Sequence, residues 1–197
     1  MSGATGIQDG SKNPGGIRKA KDSSILFLLW SLVVQLNVSA SALEDPVPFP
    51  ALEGELLTRV DTQLPKDLAS PWTWMVIGFT KGSAKDTEKC RKALTRDIPV
   101  QQADGRSLAL LQGVPFFLKG MIKGNLRSSI PESEWSRFVV ASEKKKELQQ
   151  VTHFDEKFED QAYVILVHQN QVVWRARSSC DETSYPELLK SLKSHLP

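Results

Sequence analysis

The sequence predicts one α/β domain built on a central mixed sheet flanked by helices, closed by a terminal β-hairpin and a C-terminal helix. Three observations carry that expectation. Trp72 to Phe79 is a continuous apolar run, as a strand buried on both faces requires, and a helical pattern follows it from Ala84 to Arg96. Ala162 to His168 is a second such run. Val172 to Arg177 follows after Gln169-Asn170-Gln171, a spacing that suits a hairpin.

Residues 1–42 have the features of an address. Arg18, Lys19 and Lys21 precede the apolar stretch Ile25 to Val34, and the segment ends in Ala40-Ser41-Ala42. Basic flank, short apolar core and a small-x-small site together predict a secretory signal cleaved after Ala42, with an uncleaved N-terminal anchor as the alternative. The apolar core falls short of the roughly 20 residues a membrane span needs. Export places residues 43–197 in an oxidising space, periplasmic or otherwise extracytoplasmic, where a disulfide persists. The anchored alternative places the chain on or inside an organellar membrane, its only membrane contact being that segment.

The remaining elements follow in order. Leu43 to Pro50 is extended and proline-rich, and Leu52 to Leu64 predicts a small hairpin or edge strand around Glu53-Gly54, closed by Pro65. After the strand from Trp72, Gly82-Ser83 supplies a break and a candidate cap for a helix whose face includes Thr87, Arg91 and Leu94. Ile98 to Gln102 is a short strand by pattern. Asp104 to Arg127 is a looser stretch, punctuated by Gly105, Gly113, Gly120 and Gly124. Arg137 to Ala141 predicts a strand, Glu143 to His153 a charged helix, and Ser184 to Leu196 an amphipathic helix.

Composition excludes several functions. The 197-residue chain is 40% hydrophobic and carries 25 basic against 23 acidic residues, net +2, with no basic run interleaved with aromatics, so no nucleic-acid partner is expected. His153, His168 and His195 lack ligand spacing, no phosphate-binding glycine loop is present, and neither metal nor cofactor is expected.

From about Phe49 to Leu196 the chain resembles the thioredoxin-like superfamily in its redoxin branch. The hairpin from Tyr163 to Trp174 is the best-matched piece, with His168 and Gln171 where the family usually has Asp and Gly. The blocks Gly113-Val114-Pro115 to Gly120-Met121 and Trp135 to Val140 add a similarity to redox-inactive members. These are the exported YtfJ-like proteins and the mitochondrial ATP synthase assembly factors.

The resemblance also shows which chemistry is missing. A thioredoxin-type oxidoreductase needs two thiols at the start of the helix, the first with a depressed pKa and the second to resolve the mixed disulfide. Gly82, Ser83, Ala84 and Lys85 stand there instead. Where the family's substrate-presenting proline is expected, this chain has Gln161, Ala162 and Tyr163. Peroxiredoxins suggest a different site, since Thr87-x-x-Cys90 keeps their threonine spacing. Catalysis would then rest on Cys90, Thr87 and Arg175 or Arg177, although the family's arginine aligns with Trp174. The same topology brings Cys180 toward Cys90, so the two can also form a disulfide. Finally, Phe116, Phe117 and Met121 lie in an apolar segment that either docks a protein partner or caps the sheet. The resulting expectation is an exported, redox-inactive accessory or assembly-type binding protein, the alternative being a divergent thiol peroxidase.

Overall fold

A computed structural model describes residues 39–197. The expected leader, residues 1–42, lies outside the described residues except for its last four, which open the first strand. Eight strands form one sheet: β1 (Ser39–Pro48), β2 (Leu52–Leu56), β3 (Asp61–Leu64), β4 (Trp72–Gly78), β5 (Asp104–Leu110), β6 (Phe138–Ala141), β7 (Ala162–His168) and β8 (Gln171–Ser178). Their order across the sheet is β1-β8-β7-β4-β5-β6-β2-β3. Strands β4, β5 and β6 are parallel, and every other pairing is antiparallel. The helices are α1 (Ala84–Asp97), α2 (Phe116–Ser129), α3 (Lys145–Thr152) and α4 (Tyr185–Lys193).

Alternation along β4 explains why its apolar run is unbroken. Met75 and Ile77 enter one core with Phe79, Tyr163, Ile165 and Leu148 of α3. Trp74 and Val76 enter the opposite core with Leu94 of α1, Trp174, and Leu188 and Leu192 of α4. A central strand covered on both sides has no polar face to offer. A third, smaller cluster gathers Leu57, Leu111, Ile130 and Val140 beneath Ile122 and Leu126 of α2.

The sheet is curled. Pro48 and Leu52 are four residues apart in sequence, a reach of about 14 Å at full extension. Yet β1 and β2 stand six places apart in the sheet, about 29 Å if it were flat. Phe49 and Leu52, at either end of this link, pack into the same core as Met75 and Val172, inside the curl.

The hairpin turn is a two-residue one. Gln169 and Asn170 both have positive φ, 47° and 68°, which matches the twist of the flanking strands. Gln171 already belongs to β8, and His168 stacks on Trp72 at 3.9 Å between ring centroids.

Three expectations need correction. Ile98 to Gln102 is not a strand: Ile98 terminates α1 and the turn Pro99–Gln102 follows it, while the strand is Asp104–Leu110. Asp104-Gly105 looks like a turn signal, but Gly105 lies where the Trp74 indole leaves no room for a Cβ. The looser region is therefore β5 followed by α2. Gly120 and Gly124 sit in that helix with open space beside them, and only Gly113 (φ 84°) serves a turn. Likewise Glu53-Gly54 lies inside β2, where a Cβ on Gly54 would stand 2.7 Å from Val139, and the chain turns at Arg59 (φ 69°) instead.

Asp181 organises the entry to α4. Its carboxylate accepts from the Ser179 and Thr183 hydroxyls and from the Thr183 and Ser184 amides at 2.7–3.1 Å. These donors, the Ser179 hydroxyl foremost, hold its carboxyl well below the usual carboxylate range. A lowered native pKa stabilises the fold fully above the unfolded carboxyl value of about 4, and that stabilisation is lost as pH falls through the native value. Asp181→Ala should lower the thermal midpoint at neutral pH by about 2–4 °C, on the scale of one lost helix-entry cap. The gap should narrow in thermal scans below about pH 4, and a gap constant with pH would refute this role.

Candidate functional site

In the parallel part of the sheet, ligands characteristically sit beyond the carboxyl ends of the strands, where the following helix begins. Here that place is the loop from Phe79 to Ser83. Ser83 stands at the N-cap of α1, but its hydroxyl donates to the Thr80 carbonyl (2.9 Å) and makes no cap bond to the helix. Thr80 in turn donates to Asp160 (2.9 Å), tying the loop to the segment before β7. Gly82 lies against the Asp160 carboxylate so closely that a Cβ would collide with it. The position where a dithiol is expected is thus held by Gly82, the buried Ser83, and the first two residues of α1, Ala84 and Lys85.

Cys90 is six residues beyond the first residue of α1, about 9 Å along the helix axis. The favourable field of the helix N-terminus fades within its first turn. Cys90 has no exposed surface, Cys180 is 8% exposed, and the two are joined in a disulfide with 5.1 Å between Cα atoms. Cys180 follows β8 at positive φ (48°), its amide donating to the Ser178 hydroxyl (2.9 Å). Both sulfurs lie in the core formed by α1, α4 and one face of β4, β7 and β8.

The structure does not assemble the peroxidase set. Thr87 is one turn before Cys90, and its hydroxyl donates back to the Ser83 and Ala84 carbonyls at 3.0 and 2.9 Å. Arg175 projects from the other face of β8, where its Nη1 donates to the Val151 carbonyl of α3 (3.1 Å). Arg177 shares that face, with its guanidinium 3.5 Å above the Phe158 ring and an ion pair to Asp155 (3.4 Å). The residues of β8 that do join the cysteine core are Trp174 and Ala176, and Trp174 is fully buried, its indole donating to the Ser191 hydroxyl of α4 (3.1 Å). An indole fills the place the peroxidase reading assigns to an arginine.

Phe116, Phe117 and Met121 are 89%, 77% and 58% exposed on the outer side of α2. Two to three turns farther along the helix, Arg127 donates to the Leu57 carbonyl (2.8 Å), and Lys123 and Arg127 pair with Glu55 of β2 (2.5 and 3.1 Å). The helix is therefore fastened through its second half while its aromatic first turn stays in solvent. Sequence reasoning named these three residues but not their helix. It also put Arg91 on the helical face without marking it as unusual. Arg91 is buried and paired with Glu134, and burial pushes its guanidinium pKa down.

Among the described residues no group of His, Cys, Asp and Glu is placed to hold a metal, and no helix is long and apolar enough to cross a membrane.

No family model and no curated protein sequence matches the chain. Solved structures do. A putative thiol:disulfide interchange protein DsbE from Chlorobium tepidum superposes with a TM-score of 0.51 at 11% identity, over 78% of this chain and 98% of that one. A thiol peroxidase from Chromobacterium violaceum gives 0.48 at 12% identity, over 78% and 88%. A SCO1/SenC family lipoprotein from Bacillus anthracis str. Ames gives 0.47 at 14% identity, over 78% and 98%. The strand order, together with the Chlorobium tepidum superposition, gives this chain a thioredoxin-like fold.

Proposed function

We propose that the protein is an exported, non-catalytic binding protein of accessory or assembly type, in which the thioredoxin-like fold serves as a scaffold. The observation that carries this reading is the fate of the thiols. Both cysteines are joined in a buried bond two turns inside α1, and the start of that helix offers none. A persistent bond of this kind fits an oxidising compartment and so supports export. The partner is a protein that docks on the end of α2 through Phe116, Phe117 and Met121. Exposed apolar side chains grouped on one helix are the usual mark of such a surface.

Two measurements test this. The purified chain, oxidised or reduced, is expected to show no catalytic insulin reduction and no consumption of hydrogen peroxide; turnover in either assay, or a sulfenic acid at Cys90 by intact mass, would overturn the non-catalytic role. For the docking surface, photo-crosslinking from position 117 in the producing cell should yield a discrete protein adduct. No adduct from 116, 117 or 121 would sink the partner.

A further inference from the structure

Between α1, α2 and the strands β4 and β5 lies a cavity of about 570 Å³. Protein interiors leave few voids larger than a water molecule, whereas clefts of this size are typical of small-molecule sites. Two helical stripes form its sides. Ala84, Thr87, Glu88 and Arg91 of α1 line it at spacings of three and four, as do Ile122, Asn125, Leu126 and Ser129 of α2. Neighbouring helices ordinarily interlock their side chains along such rows, but here the cavity separates them. The floor shows the same gap: Ala109 belongs to the central strand β5, yet it is only half-buried, because the cavity lies over it.

The polar groups of the wall specify the occupant. Glu88 is exposed and engaged by Lys92 (2.6 Å), and Lys81 stands exposed at the rim. Charges of opposite sign in water favour neither an anion nor a cation by much. Gln112 and Asn125 are likewise exposed. The terminal nitrogens of Arg91 are sealed within the wall beside Glu134 and take no part. The hydroxyls of Ser83, Thr87 and Ser129 donate to main-chain carbonyls. What remains inside is Ser107. It is 6% exposed and shares a face of β5 with Ala109. Its hydroxyl has no hydrogen-bond partner among the described residues, and it is not sealed as the Arg91 nitrogens are. A hydroxyl so placed gains from a neutral partner that a ligand brings. A charged group there would lose its hydration with no free opposite charge to meet it.

We propose that this cavity binds an uncharged amphiphile, a molecule with a hydrocarbon body and one hydroxyl or carbonyl group. The body lies along Ala109, Ile122 and Leu126, and the polar group meets the Ser107 hydroxyl. The site is separate from the docking surface at Phe116, Phe117 and Met121 and does not depend on it.

Titration calorimetry on the full chain near neutral pH, with 1-octanol, octanoate and octylammonium as probes, decides the matter. The alcohol should bind saturably at one site, and both ions about tenfold or more weaker. Ser107→Ala, which removes the hydroxyl and little else, should weaken 1-octanol about three- to tenfold. Ala109→Phe, which fills the cavity from its floor, should weaken it about tenfold or more. Ile122→Trp fills the same space from α2, should have the same effect, and keeps the test alive if the floor variant fails to fold. Absence of saturable binding, either ion binding as tightly as the alcohol, or an octanol affinity unchanged by Ser107→Ala or by the filling variants would overturn the proposal.

Discussion

Replacing Cys90 and Cys180 together by alanine should lower the unfolding free energy by about 4–5 kcal/mol, the loop-closure entropy of a cross-link across some 90 residues. The bond joins the middle of α1 to the chain just after β8, across a sequence separation of 90, so its loss frees the unfolded ensemble over nearly half the chain. Urea titrations of the oxidised wild type and the double variant measure the difference. A gap below about 1 kcal/mol would mean that native-state strain cancels the constraint and that the bond is not a staple.

Trp174→Ala should cost about 3–5 kcal/mol, the range for deleting a large aromatic from a packed core. The indole has no exposed surface and shares its core with both sulfurs, Leu188 and Leu192. Its deletion also removes the indole donor and leaves the Ser191 hydroxyl without its bond. The same titrations read this out, and a cost within about 1 kcal/mol would show that α4 collapses into the space. If Trp174 were merely a surface residue of the hairpin, the variant would be close to neutral.

These two sites show what the sequence makes legible. The apolar runs at Trp72 and Ala162 locate β4 and β7, because strands covered on both sides have no polar alternation to obscure them, and β8 is located by its alternation after a hairpin spacing. The helices from Ala84 and Ser184 are found within a residue or a few, since each has an apolar stripe. Glycines cause the failures. Gly54 and Gly105 look like turns but sit where a neighbouring side chain occupies the space of a Cβ, and that close approach exists only between segments distant in sequence. Gly120 and Gly124 disguise α2, a helix with no fully buried residue and hence a weak pattern. The site divides similarly. The missing dithiol is legible because it is local, whereas the burial of Arg91 against Glu134 is not, since Glu134 comes from a distant part of the chain.

The pairing of β1 with β8 sets the order in which the molecule can be completed. Ser39 faces Arg177 across that ladder, so among the described residues the first strand to be synthesised waits for the last one. Until then β1 and the outer edge of β7 lack the strand that belongs between them, and Cys180 has not yet emerged. Contacts this distant in sequence slow folding and lengthen the interval in which strand edges lie open to other chains. A chain built this way keeps strand edges open until its final strand is in place, so edge pairing with other chains competes with completion of its own sheet.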